Sequence, residues 1–93
     1  MPYRVTVFIE DPYYKNCLVA DFEKEFTNLE EARKFASRFQ YARIEKKYIV
    51  KFYKNKEVIK EEVVWARDLE DLQENASRLA IYYLADDRKA ELA

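Results

Sequence analysis

Side chains alternate along residues 3–10. One predicted face carries Tyr3, Val5, Val7 and Ile9, and the other carries Arg4, Thr6, Phe8 and Glu10. A period of two residues is typical of a half-buried strand. Residues 11–16 contain an Asp-Pro pair and predict a loop, after which the alternation resumes near Cys17 in a second strand. That strand is predicted to carry Leu18, Ala20, Phe22 and Phe26 inward, and Val19, Asp21, Glu23 and Glu25 outward.

A first helix is predicted after the second strand. Thr27 is followed three residues later by Glu30, which is the signature of a capping box at a helix start. Apolar residues then recur at spacings of three and four, as they do along the buried stripe of an amphipathic helix. We expect this helix to continue to about Gln40. Its predicted stripe is Leu29, Ala32, Phe35, Ala36 and Phe39.

A hairpin is predicted downstream of that helix, with Asn55-Lys56 as its two-residue turn, since Asn tolerates a positive φ. Its two strands alternate, but Glu61 falls on the face predicted to be buried. Either a bulge near residues 60–62 or a position at the sheet edge resolves this conflict. The predicted buried face carries Tyr48, Val50, Phe52, Ile59, Val63 and Trp65.

The second predicted helix is capped by Asp68 and reaches about Leu84, before a charged tail that begins near Asp86. Its apolar spacing again follows the helical period. We expect two residues of this helix, Leu72 and Leu79, to lie in the core. The other predicted core residues are Phe35, Phe39, Val50 and Phe52. The predicted stripe is Leu69, Leu72, Ala76, Leu79, Ala80 and Tyr83.

An internal repeat links the two helices. Residues 28–39 read NLEEARKFASRF and residues 68–79 read DLEDLQENASRL, with Leu, Glu, Ala, Ser and Arg in register. Two amphipathic helices that converged on one pattern are the alternative explanation. Because two strands precede each helix, we favour a duplicated strand-strand-helix unit.

The repeat predicts an α+β fold, in which a four-stranded antiparallel sheet carries both helices on one face. Two strand orders keep all neighbours antiparallel, 2-1-3-4 and 1-2-4-3. Charged residues in the second and fourth strands suit sheet edges, where they discourage further pairing, and this favours 2-1-3-4. We expect one domain over residues 1–93, made of a first ββα unit (1–41), a second ββα unit (42–86) and a charged tail (87–93).

Composition narrows the chemistry. The 93 residues include no glycine and no histidine, so phosphate-cradling glycine loops and the commonest general base and metal ligand are missing. Acidic residues at Asp21, Glu23 and Glu45 superficially suit a metal-dependent nuclease, but edge solubility explains them better in a chain that is 38% charged. We therefore expect no enzymatic activity, no cofactor and no metal.

The cellular setting is predicted from cysteine use and hydropathy. Cys17 is the single cysteine, so no internal disulfide forms, and the first residues lack the pattern of a signal peptide. No apolar run approaches the length of about 18 residues that a membrane span needs. We expect a cytoplasmic protein that does not engage the membrane.

The leading functional hypothesis rests on the outer face of the predicted sheet, which is more apolar than a solvated face requires. A contiguous apolar patch of this kind marks a partner surface. We expect a small protein-interaction module, a regulator or inhibitor that acts by occupying a surface, binding another protein or a second copy of itself. The predicted partner-binding residues are Phe8, Val19, Ile49, Tyr53 and Val64.

The alternative hypothesis is nucleic-acid binding. The formal net charge is only -1, but basic residues concentrate between positions 32 and 60, with Tyr48 and Tyr53 among them. Lysines that follow a phosphate backbone beside stacking aromatic residues are typical of nucleic-acid-binding proteins. Acidic residues from neighbouring strands would cancel this charge. The lysines predicted to contact nucleic acid are Lys47, Lys51, Lys54 and Lys60.

Overall fold

The fold is an antiparallel sheet with two helices, seen in a computed structural model that describes residues 2–93. The strand order is β2-β1-β3-β4, and β5 also pairs with β3. The predicted α+β class and strand order are confirmed. The elements are β1 (Tyr3–Glu10), β2 (Leu18–Phe26), α1 (Leu29–Ala36), β3 (Ala42–Lys54), β4 (Glu57–Ala66), α2 (Leu69–Tyr83) and β5 (Asp87–Leu92).

The chain divides into two compact units, which we describe separately. Unit 1 ends at Glu45 and unit 2 begins at Lys46. Neither of the helices in the described residues, 2–93, is long and apolar enough to cross a membrane. The proposed duplication, and the placement of both helices on one face, stay predictions.

The core of unit 1 is small. Within residues 2–45, Val5, Val7 and Ala32 are buried together. A group of phenylalanines packs around them: the rings of Phe35 and Phe39 lie 5.1 Å apart, and Phe35 also contacts the rings of Phe22 and Phe26. Edge-to-face and tilted ring pairs of this kind add to the stabilisation from burial.

A bulge in β2 reverses part of its predicted alternation. Val7 pairs with Phe22, but the next residue, Phe8, pairs with Ala20, which leaves Asp21 as an extra residue. A single extra residue inverts the orientation of every side chain beyond it. Val19 therefore lies opposite Ile9, on the face that packs against α1, and its predicted place on the outer face is wrong.

Helix α1 begins and ends differently from the prediction. Its N-cap is Asn28, whose side chain accepts a hydrogen bond from the Glu30 N–H, so Thr27 is not the cap. The regular helix ends at Ala36, and the predicted last turn continues only as three-residue turns, in which the Phe39 N–H donates to the Ala36 carbonyl. The helix is therefore one turn shorter than its apolar stripe.

The core of unit 2 is larger. The side chains of Val50 and Phe52 are fully buried, and Leu72 is almost fully buried against them, as predicted. Leu79 packs on this group while remaining half-buried. Within the described part of unit 2, the buried cluster consists of Tyr48, Val50, Phe52, Val64, Ala66, Leu72, Ala76 and Ala80.

The β3–β4 hairpin has the predicted turn but a different register. Asn55 and Lys56 both adopt positive φ, which matches a two-residue turn. Tyr53 then pairs with Val58 and Phe52 with Lys60, so Ile59 is an extra residue. This bulge lies one residue before the predicted range.

The bulge at Ile59 shifts the rest of β4 by one position. Val64 pairs with Tyr48, is only 6% exposed and belongs to the core, so its predicted outward orientation is wrong. Val63 and Trp65, which were predicted to face the core, point to the opposite face instead. Glu61 also leaves the core face, which resolves the conflict found in the sequence.

A fifth strand replaces the predicted charged tail. Residues 87–92 form β5 and pair with β3 from Tyr48 to Tyr53. The connection from α2 is short, since Leu84 adopts a left-handed conformation at the helix C-terminus and the Asp86 N–H donates to the Tyr53 carbonyl. Strand β3 is therefore flanked by β4 and β5 in unit 2.

Candidate protein-interaction face

The side of the unit 2 sheet opposite α2 forms a three-stranded surface, which we call the outer face. Residues paired directly across an antiparallel sheet point to the same side, so the register assigns its members. It consists of four rows. The first joins Trp65 on β4 to Lys47 on β3, and each of the others runs from β4 through β3 to β5: Val63, Ile49 and Glu91; Glu61, Lys51 and Lys89; Val58, Tyr53 and Asp87.

The outer face carries two open apolar groups, Trp65 with Val63 and Ile49 toward one end and Val58 with Tyr53 at the other. Val63 is 49% exposed and Val58 is 52% exposed, while Ile49, Tyr53 and Trp65 are half-buried. Among the described residues of unit 2, the one helix packs on the other side of the sheet, against the core. Tryptophan and tyrosine are the residues that most often dominate binding energy at protein interfaces.

A charged row, made of Glu61, Lys51 and Lys89, separates the two apolar groups. On β5, Lys89 lies between Glu91 and Asp87 on the same face. Apolar groups bordered by charged, accessible residues are common at protein–protein interfaces.

The four lysines predicted to bind nucleic acid do not form one surface. Lys47 and Lys51 lie on the outer face, but Lys60 pairs with Phe52 and lies on the side of α2. There its ammonium group is 4.0 Å from Glu62 and lies over the ring of Tyr83. Lys54, at the end of β3, lies opposite Glu57. Of the four predicted lysines, Lys51, Lys54 and Lys60 therefore each have an acidic cross-strand or same-strand neighbour.

The two predicted partner-binding residues of unit 1 lie apart from each other. Phe8 is half-buried, and the guanidinium of Arg43 lies 5.1 Å from its ring centre. Stacking by a cation covers an aromatic face that a partner would otherwise contact. Val19 is exposed on the other side of β2, the side of α1. Unit 1 therefore does not present the predicted patch.

A buried carboxylate lies on the Thr6 side of unit 1. One oxygen of Glu45 accepts hydrogen bonds from Arg4, at 2.9 and 3.2 Å, and from the Thr6 hydroxyl at 3.0 Å. Arg43 lies 3.5 Å from the other oxygen, and Arg4 also pairs with Glu23. Pairing and hydrogen bonding of this kind account for the burial of the Glu45 carboxylate in structural terms.

The acidic residues considered for metal binding are separated. Glu45 is occupied by its cationic neighbours, Glu23 pairs with Arg4, and Asp21 is exposed at the β2 bulge. Across residues 2–93, no group of three or more acidic or cysteine side chains is placed to hold a metal ion.

Each unit contains a tyrosine that donates to a glutamate. The Tyr83 hydroxyl donates to Glu62, and this hydrogen bond, with burial and the carboxylate charge as smaller causes, raises the pKa of Tyr83 to about 12. In unit 1, the Tyr41 hydroxyl donates to Glu10 at 3.1 Å, which also raises the tyrosine pKa. Neither tyrosine is poised to act as a base near neutral pH.

Of the predicted partner-binding residues, Ile49 and Tyr53 lie on the outer face. Val63 and Trp65 were assigned to the core because the bulge was expected beyond Ile59, near residues 60–62, and only as one of two alternatives. The β5 rim was also missed, although Ala90 and Leu92 alternate with charged residues there. That alternation is the one signal that could have indicated a strand.

Comparisons of the whole chain with protein families, with curated protein sequences and with solved structures find no match.

Proposed function

We propose that this chain is a non-enzymatic protein-interaction module that binds its partner through the outer face of unit 2. The observation that carries the proposal is the open row of Val63 and Ile49 beside Trp65, on a sheet face that no described helix of unit 2 covers. Burial of such a surface against a partner removes apolar area from water.

Occupation of a partner's surface is the mode of action that fits this arrangement. The chain lacks glycine and histidine, and Glu23 and Glu45 of unit 1 are engaged with arginine, so the supported role is binding without chemistry. A regulator or inhibitor works in this way. The exposed free thiol of Cys17 is compatible with a reducing compartment, and the cytoplasm is the location we propose.

The proposal is tested by placing a charge in the centre of the outer face. Val63→Glu and Ile49→Glu should each weaken partner binding by at least about tenfold, because the new carboxylate must be desolvated in the complex. Partners are captured on immobilised wild-type protein from cells of the source organism, with and without nuclease, and binding of the recovered partner is then titrated.

Ile81→Glu is the matched control, since Ile81 is an apolar residue of α2 that is 76% exposed and lies away from the outer face. It should leave binding unchanged, and circular dichroism should show that all three variants are folded. Full binding by both outer-face variants contradicts the proposal. Capture that depends on nucleic acid, and that is lost on neutralising Lys47 and Lys51, supports the nucleic-acid alternative instead.

A further inference from the structure

The charge arrangement of the outer face is complementary to itself. Consider two copies whose outer faces stack on each other. A two-fold axis between the two sheets, perpendicular to the strands and level with the middle of the Ile49–Lys51 segment of β3, relates the four rows of one copy to those of the other. Such an axis places the first row over the fourth and the second over the third. Closed two-fold dimers of this kind are the commonest homo-oligomers, and each contact in them occurs twice.

Opposite charges and compatible surfaces meet under this operation. Glu91 of one copy lies over Lys89 of the other, because Glu91 is the β5 residue of the second row and Lys89 is the β5 residue of the third. Lys47 lies over Tyr53, which allows a cation–π contact, and Trp65 lies over Val58. Lys51 and Glu61 of one copy lie over Ile49 and Val63 of the other; the Lys51 stem covers Ile49, and Glu61 has Lys51 as its cross-strand partner of opposite charge.

A two-fold axis along β3 is less favourable than the transverse axis. It pairs Glu61 with Lys89, but it also places Lys47 over Lys47 and Lys51 over Lys51, so like charges meet along the central strand. Like charges across an interface disfavour a complex strongly. The transverse axis has no such clash among the outer-face residues. It also leaves the strands of the two sheets nearly aligned, which is a common way for sheets to stack.

We propose that the partner on the outer face is a second copy of this chain, related by the transverse two-fold axis, with Lys89 and Glu91 as the reciprocal charge pair. This inference rests on the proposed function, because it names the occupant of the same face. Three strands offer a smaller area than a standard interface of about 800 Å² per partner, so the dimer is weak and concentration-dependent.

The test uses two single charge reversals and their mixture, measured by sedimentation velocity up to millimolar concentration. Lys89→Glu places Glu over Glu in both halves of its own dimer, and Glu91→Lys places Lys over Lys. Each variant alone should dimerise at least about tenfold more weakly than the wild type. Mixed in equal amounts, they should dimerise about as tightly as the wild type, since each position then meets its opposite charge.

A matched pair on α1, Lys34→Glu and Glu31→Lys, controls for net charge, because both residues are exposed in unit 1 and the two changes alter the charge by the same amounts. Each should dimerise like the wild type, and their mixture should gain nothing. A wild-type chain that stays monomeric throughout overturns the second-copy inference, as does a Lys89→Glu and Glu91→Lys mixture that associates no better than its parts.

These failures are distinguishable from failure of the proposed function. If the chain is monomeric but Val63→Glu abolishes capture of a different protein, the outer face is an interface and only the identity of its occupant is wrong. If the chain dimerises and Val63→Glu leaves both dimerisation and capture intact, the outer face itself is wrong.

Discussion

The two units share a helix sequence pattern and differ in how much they bury. Ala32 and Leu72, forty residues apart, both pack into their cores, and so do Ala36 and Ala76. Yet α1 has 8 residues and α2 has 15. A matching stripe therefore fixes which side of a helix is buried, whereas the extent of the core depends on helix length and on what the strands contribute.

Strands account for much of this difference. In unit 2, β3 is flanked by β4 and β5, and its three inward residues Tyr48, Val50 and Phe52 are all buried. Unit 1 relies instead on phenylalanines at the margin of its core, and Phe22 remains 41% exposed. Lys24 lies 5.2 Å from the ring centre of Phe35 and covers part of that margin.

The largest expected effect comes from truncating the cores of the two units. Phe52→Ala should lower the free energy of unfolding by about 3–5 kcal/mol, because a fully buried ring is lost and a cavity remains. Phe35→Ala should cost less, since Phe35 is half-buried and its site opens to solvent. Urea denaturation of both variants measures the difference. Equal losses would show that the two units are equally well packed.

A smaller effect is expected from disrupting β5, the strand that distinguishes unit 2. Lys89 pairs with Lys51, and the odd residues of β3 turn their backbone groups toward β5, as the Lys47 and Tyr53 carbonyls do; Lys89→Pro therefore removes a backbone donor to β3 and restricts φ, which should cost about 1–3 kcal/mol. Lys89→Ser keeps the backbone donor and is the control. Hydrogen exchange at Lys51 and its neighbours should accelerate only in the proline variant. Unchanged exchange there would mean that β5 does not protect β3.

The smallest effect concerns the tyrosine–glutamate pairs and appears only at high pH. Because the folded-state pKa of Tyr83 is raised from 10.0 to about 12, folding favours the protonated tyrosine. Its contribution to stability is fully present below about pH 10 and is lost as the pH rises through about 12. Denaturation midpoints should fall across this range.

Two variants identify the group responsible for that fall. Tyr83→Phe should flatten part of the pH dependence, whereas Tyr82→Phe, at the exposed neighbour, should not. An ultraviolet titration of the wild type should show late tyrosine ionisation that is reduced in Tyr83→Phe. If the two variants behave alike, the hydrogen bond to Glu62 is not the cause.

The sequence predicted features that depend on neighbours along the chain. Asp68 caps α2, and Asn55-Lys56 makes the hairpin turn, because each of these needs only local backbone geometry. The bulge at Asp21 was missed, and the bulge at Ile59 was expected one residue too late and only as one of two alternatives, since bulge positions depend on which cross-strand pairs pack best. Each bulge then inverted a predicted face.

Strand β5 was missed for a related reason. Its residues, Asp87–Leu92, are mostly poor strand formers, and pairing with β3 is what makes them a strand. Consequently Ile49 and Tyr53 could be placed on the candidate face from the sequence, but the rim on β5 could not. Val64 was assigned in place of Val63 because a slip of one residue exchanges the two.

The fluorescence of Trp65 tests directly whether the outer face is the binding surface. Trp65 is the single tryptophan of the chain and lies on that face, so its fluorescence reports on this surface alone. Emission should shift to shorter wavelength, and acrylamide quenching should weaken, as the chain concentration rises or a captured partner is added. Both changes should vanish in Val63→Glu. Association detected by sedimentation without any change in Trp65 emission or quenching would show that the outer face is not the binding surface.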